Sequence, residues 1–158
     1  MNLSISQKDF YKRIYKIKKY KFVKKNLKKY KQHGKTTVYE HSRNVAYRSY
    51  CLAKWLEKKY NIKFNYDNLV GGAFLHDFYL YDWHEKNKSH KWHGFKHPKI
   101  AAKNAKKYCE ANEEELKIIK THMWPLTITK MPKSKEAVIV SAVDKYCAIK
   151  ETIHRKEK

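Results

Sequence analysis

Helix breakers are scarce in this chain: four glycines and three prolines stand among 158 residues. An all-β protein would need many tight turns and the residues that make them, so the scarcity favours long helices. The expected fold class is all-α, and the length suits one domain with a core of its own. No run of about 18 apolar residues occurs, and no apolar N-terminal segment precedes a cleavage site, so neither a membrane span nor a signal peptide is expected. The cysteines, Cys51, Cys109 and Cys147, are widely spaced and form no C-x-x-C pair. They read as small buried hydrophobes in a reducing compartment, which makes the cytoplasm the expected location.

The formal net charge of +22 is extreme for this size. It has two sources that the composition does not separate: an AT-rich genome, which favours lysine codons, or a selected basic surface. Its long-range attraction suits an anionic partner, with nucleotides, nucleic acid and anionic lipid all open. Between Ser4 and Gly34 lysines alternate with Phe10, Ile14, Tyr20, Val23, Leu27 and Tyr30 at helical spacing. This predicts one or two amphipathic helices, with Ser6 as N-cap and Gly34 as stop. Aromatics at this spacing are expected to pack on a core, the alternative being a basic aromatic arm for nucleic acid. The expected organisation is therefore basic N-terminal helices over residues 1–34 packed on a domain of residues 35–152, with a charged tail at 153–158.

A long helix is predicted from about Thr37 to Tyr60, capped by Thr36 or Thr37 with Glu40 in its first turn. Its apolar stripe, Val38, His41, Val45, Ser49, Leu52 and Leu56, holds a histidine where a core would take leucine. A second helix runs from about Tyr66 to His76 and carries Gly71 and Gly72, which cost roughly 1 kcal/mol each relative to alanine. Close approach by a neighbouring helix would explain them. It ends in His76-Asp77. The segment from Phe78 to Lys96, with His84, His90, His93, Trp83 and Trp92, is predicted to be a long loop of the kind that often serves as a lid or binding loop. His97-Pro98 is expected to open the next helix, with the proline in its first position. Asn112 and Glu115 resemble a capping box for a helix that ends at His122, before Pro125. The last helix, from about Ser134 to Glu151, sets Asp144 among Ala137, Val140, Val143 and Cys147. A carboxylate on a core face needs a cation or a hydrogen-bond partner.

Six residues thus stand out: His41, His76, Asp77, His97, His122 and Asp144. Each has an ordinary explanation alone, yet five separate helices deliver them, which is how helical bundles build metal centres. The order His41, His76-Asp77, Asp144, in the contexts Val38-Tyr39-Glu40-His41-Ser42-Arg43-Asn44-Val45-Ala46 and Ser141-Ala142-Val143-Asp144-Lys145, resembles the HD-domain phosphohydrolase superfamily, across about Thr36 to Glu151. The resemblance implies a bundle of about six or seven helices around a buried metal site. It further implies two divalent ions (iron, manganese or zinc), because His97 and His122 lie where two-metal members carry extra histidines. By that resemblance His41, His76, Asp77 and Asp144 hold one ion, His97 and His122 hold the second, and Asp77 bridges them and orients the attacking water. The glycine-containing motif of the cyclic-dinucleotide-cleaving branch is missing.

The expected activity is hydrolysis of a nucleotide or other phosphoester, with His93, Lys96 and Lys145 as candidate phosphate donors by their closeness in sequence to the ligands. A di-iron oxygenase is the alternative, since some six-ligand members of the superfamily resemble oxygen-activating enzymes. A nucleic-acid-binding module, or a nuclease, ranks below both.

Overall fold

The computed structural model describes residues 4–84 and 92–153, so His90 and the tail residues 154–158 lie outside the described part. The protein is 69% helical, and the described residues form seven helices and two very short strands. Helix α1 (Ile5–Lys16) opens at Ser4 rather than Ser6, through a capping box in which Ser4 and Gln7 satisfy each other's backbone N–H groups. After a left-handed Lys19 comes α2 (Tyr20–Leu27). Gly34 does not stop a helix. It turns at φ 59° in the left-handed region, between strands β1 (Lys31–His33) and β2 (Thr36–Thr37), which pair antiparallel. This hairpin was not anticipated from the sequence.

Thr37, capped reciprocally with Glu40, starts α3 (Val38–Tyr60). Its buried face runs through Val38, His41, Val45, Ser49 and Ala53, while Leu52 and Leu56 are only half-buried. Phe10, Ile14, Val23 and Leu27 share one core with Val45, Leu69 and Val140. Most of the N-terminal apolar residues therefore pack on the core, with Tyr11, Ile17, Tyr20 and Tyr30 partly buried against it, while Tyr15, Phe22 and most of the lysines face solvent. Asp9 ties α1 down, accepting hydrogen bonds from Tyr50 Oη at 2.7 Å and Arg13 Nε at 3.1 Å, while Arg13 Nη1 reaches Asp67 at 2.6 Å.

Helix α4 (Tyr66–Leu75) opens at Asn65 and is buried from Leu69 to its end. Helix α5 (His93–Cys109) begins one turn earlier than Pro98 suggested. The Trp92 carbonyl accepts from the backbone N–H groups of both Phe95 and Lys96, so the helix is already under way at His97. Pro98 then removes a single backbone hydrogen bond near the helix start, where few are at stake. Helix α6 (Glu113–Thr121) begins with the Asn112 and Glu115 capping box, and α7 (Lys135–Ile153) completes the bundle. Among the described residues no helix is long and apolar enough to cross a membrane.

The two adjacent glycines set the spacing of α4 and α6. A Cβ on Gly72 would lie 2.9 Å from three carbons of Ile118, and one on Gly71 would meet the Glu115 carboxylate. Ile118 is held by the core, whereas the Glu115 carboxylate can move aside by giving up its capping bond to the Asn112 N–H, a loss of about 1 kcal/mol that alanine's helix propensity at Gly71 offsets. Gly72→Ala is expected to lower unfolding free energy by about 1–2 kcal/mol, because overpacking outweighs the roughly 1 kcal/mol gained from alanine's helix propensity. Gly71→Ala should be close to neutral. Urea denaturation of the two variants checks this, and equal effects would contradict the rigid contact at Ile118.

Candidate metal centre

Gly72 and Ile118 touch, and one helical turn further along each helix come His76 and His122, the C-caps of α4 and α6. Their rings meet edge to face with centroids 4.8 Å apart. His41 enters from α3, His97 from α5 and Asp144 from α7, while Asp77 follows directly on His76. All six side chains are buried.

Asp77 lies between two sets of donors. Its Oδ2 is 3.3 Å from His76 Nε2 and 3.8 Å from His41 Nε2. Its Oδ1 is 3.1 Å from His97 Nε2 and 3.6 Å from His122 Nε2. Asp144 Oδ1 closes the first set, 3.0 Å from His41 Nε2 and 3.5 Å from His76 Nε2. Three overlapping groups of these residues could hold a metal ion: His41, His76 and Asp77; His76, His122 and Asp144; and Asp77, His97 and His122.

The outer nitrogens explain why every Nε2 faces inward. His76 Nδ1 lies 2.7 Å from the Ala73 carbonyl, His122 Nδ1 2.7 Å from that of Ile119, and His97 Nδ1 2.9 Å from that of His93. His41 Nδ1 lies 2.9 Å from Glu151 Oε2. A carbonyl or carboxylate oxygen only accepts, so each Nδ1 carries a proton, and a ring turns a lone pair to the centre wherever its Nε2 holds no second proton. His97 Nε2 and His122 Nε2 are 2.9 Å apart, a distance at which two lone pairs repel unless a proton or a cation lies with them. Among the described residues, His76 Nε2 and Asp77 Oδ1 are buried without a hydrogen-bond partner. A donor set of this kind, with polar atoms otherwise orphaned, suits a divalent transition metal. Helices α4 and α6 also point their C-terminal ends, the negative ends of their dipoles, at the cluster.

Protons are the alternative cations. Burial by itself depresses the His41 imidazole, but hydrogen bonds to Asp144 and Glu151 outweigh it and raise its pKa to about 9. For His76, burial is outweighed by the negative charges of Asp77 and Asp144 beside its Nε2, giving about 10. Burial would raise Asp77 and Asp144, yet the facing imidazoles hold both well below the usual carboxylate range. His122 is pushed down to about 3 by burial and by its histidine neighbours. In the metal-free protein the stability that His41 and His76 contribute is complete below their unfolded value of 6.5 and is lost as pH rises through 9 and 10. His122 acts in the other direction, and its burial costs stability as pH falls from 6.5 towards 3.

Four residues that hold the cluster were not read from the sequence. Gln32 Nε2 donates to Asp77 Oδ2 at 2.6 Å, and the Tyr79 hydroxyl donates to Gln32 Oε1. Gln32 arrives on β1, which has no signature in the sequence. Glu151 does have one, since it follows Asp144 by seven residues and so shares its face of α7. Ser141, three residues before Asp144, donates to the carbonyls of His122 and Trp124 and locks α7 to the end of α6.

The candidate phosphate donors divide. His93 stacks on His97 with centroids 4.6 Å apart and has Tyr81 Oη 2.9 Å from its Nδ1. Lys145 reaches the centre, with Nζ 3.2 Å from Asp144 Oδ2 and a hydrogen bond to the His122 carbonyl. Lys96 is exposed on α5 and pairs with none of the six.

The HD domain family model matches residues 38–149, more than half of the chain and a span that includes all six clustered residues. The chain belongs to the HD domain family. Gln32 and Glu151 fall outside the matched span, so two of the groups that orient this HD domain's cluster come from its flanks. No curated protein and no solved structure matched the chain. HD domains are largely metal-dependent phosphohydrolases.

Metal uptake at pH 7 is expected to release about two protons per chain, from His41 and His76. Calorimetric titration with Mn²⁺ in buffers of different ionisation enthalpy measures this, and heats independent of the buffer would contradict it. Glu151→Ala should weaken metal affinity by about 10–100-fold, since the His41 ring loses the carboxylate that orients it.

Proposed function

We propose that this HD domain is a two-metal phosphohydrolase acting on a nucleotide or another small phosphoester, with His41, His76, Asp77 and Asp144 around one divalent ion and Asp77, His97 and His122 around the other. The observation that supports the reading is the aspartate between two donor sets, Oδ2 towards His41 and His76 and Oδ1 towards His97 and His122. Bound divalent ions supply the acidity that makes water a nucleophile near neutral pH and the charge that holds a phosphoryl group.

The chain's own groups do the rest. Asp77 is fixed in plane by Gln32, which the Tyr79 hydroxyl holds in turn, so the carboxylate keeps one orientation towards both donor sets. Lys145 is about one-third exposed, with its ammonium beside Asp144. It would neutralise a phosphoryl oxygen that approaches there. His93, stacked on His97 and bonded to Tyr81, would donate to a second oxygen. Burial of the six ligands limits water around them and strengthens each charge interaction.

The test is anaerobic purification, metal content per chain, and phosphate release from a panel of nucleotides and phosphoesters with iron, manganese, zinc or magnesium, with oxygen uptake followed in parallel. Asp77→Ala is expected to lose both ions and to lower kcat/KM about a thousandfold or more, equivalent to several kcal/mol of lost charge stabilisation. His97→Ala and His122→Ala should each empty one position and leave the other partly filled. Full activity in Asp77→Ala would end the reading, and iron-dependent oxygen consumption without phosphate release would replace it with an oxygenase.

A further inference from the structure

Outside the metal centre, the lysines form a concave surface along α5, α6 and the α6–α7 connection. One cleft of about 820 Å³ is lined by α6 and the connection and by Lys99 of α5, and a second of about 550 Å³ lies between α5 and α6. Lys99 and Lys120 line both, so the two adjoin. Two glutamates line the clefts and each is already matched, Glu113 by Lys106 at 3.0 Å and Glu114 by Lys117 at 2.6 Å. Six other lining lysines, Lys99, Lys103, Lys107, Lys120, Lys130 and Lys133, have no carboxylate within 4.0 Å among the described residues. From His93 to Cys109, α5 contains no acidic residue at all.

Like charges crowded along a cleft repel, and a partner with regularly spaced negative charge relieves that. Lys99, Lys103 and Lys106 recur at four- and three-residue spacing on one face of α5, covering about 10 Å of helix. Between the ammonium groups the walls are apolar, from Ile100, Leu116, Met131 and Ala137 and from the lysine stems. A bilayer is flat and could not meet ammonium groups set around a hollow. A duplex is a stiff convex rod. A single strand is thin and flexible, with phosphates for the lysines and base faces for the apolar walls. We infer that this cleft binds single-stranded nucleic acid. The inference goes beyond the proposed hydrolase activity and does not require it.

Binding is measured by fluorescence anisotropy of labelled oligo-dT and oligo-rU of about 20 nucleotides, a length that exceeds one domain's footprint. The full chain is used with EDTA present, so hydrolysis and metal binding play no part. Affinity should fall with salt by a slope of about 0.7 per phosphate engaged. Lys99→Glu with Lys120→Glu should weaken binding at least tenfold and reduce the slope. Lys58→Glu with Lys59→Glu, at the end of α3 and lining neither cleft, gives the same net charge and should change affinity less than threefold. If the first pair fails to fold by thermal melting, Lys99→Gln with Lys120→Gln takes its place, compared with the matching glutamine pair at 58 and 59. Equal weakening by both pairs would mean diffuse charge and overturn the cleft. So would no weakening by either, or loss of binding to phosphatidylserine vesicles while oligonucleotide binding stays intact.

Discussion

The approach of α4 to α6 at Gly72 and Ile118 is the constraint from which the rest of this structure follows. Any side chain at Gly72 would meet Ile118, so the helices are as close as backbone against an aliphatic side chain allows. Because side chains one turn apart share a helix face, the same closeness is delivered to His76 and His122. Asp77 follows His76 and is thereby carried between His41 and Asp144 on one side and His97 and His122 on the other. Ser141 then fastens α7 to the carbonyls at the end of α6. A few tenths of an ångström lost at the glycine would be felt at the histidines, since both helices are rigid over a single turn.

That geometry gathers two carboxylates and four imidazoles away from water, which costs several kcal/mol per uncompensated charge. The cost is met locally. Outer nitrogens bond to oxygens of their own helices or to Glu151, Gln32 covers one edge of Asp77, and the helix C-terminal ends favour positive charge. What these contacts do not supply is cations for the inward lone pairs. Protons on His41 and His76 serve in the metal-free state, and their raised pKa values express how strongly the cluster holds positive charge. The arrangement therefore selects for a cation and only secondarily for its chemical type.

Much of this was legible in the sequence where a residue broke a pattern. His41 and Asp144 interrupt apolar faces, and the burial that makes them anomalous also makes them detectable. Thr37 with Glu40, and Asn112 with Glu115, marked helix starts because capping chemistry is local. The glycine pair announced a close neighbour without naming it. Pro98 misled, because a proline one turn inside a helix looks like a first residue when the preceding turn, His93 to Lys96, has no apolar periodicity. Gln32 was invisible for a different reason: its role depends on a hairpin whose pairing joins residues that carry no strand signal. Glutamine on a short edge strand is ordinary until Asp77 is seen beside it.

The sign of the charge also changes with depth. The chain is strongly basic overall, yet the buried centre presents Asp77 and Asp144, with Glu151 behind His41 and Lys145 as the basic side chain at its rim. On the proposed function, the divalent ions would replace the His41 and His76 protons beside the aspartates, and an anion drawn to the exterior would be accepted at the core once those cations are in place. Order of arrival follows from this. On the same proposal, metals held by several buried donors would stay once bound, and each would add positive charge where a phosphoester's oxygens would come to rest. The external field would then work with the site instead of against it, raising the encounter rate for anions in a way that weakens as salt screens it over about 10 Å. Net charge, which says nothing about the fold, acquires meaning here through its arrangement: basic outside, acidic within, and joined at Lys145.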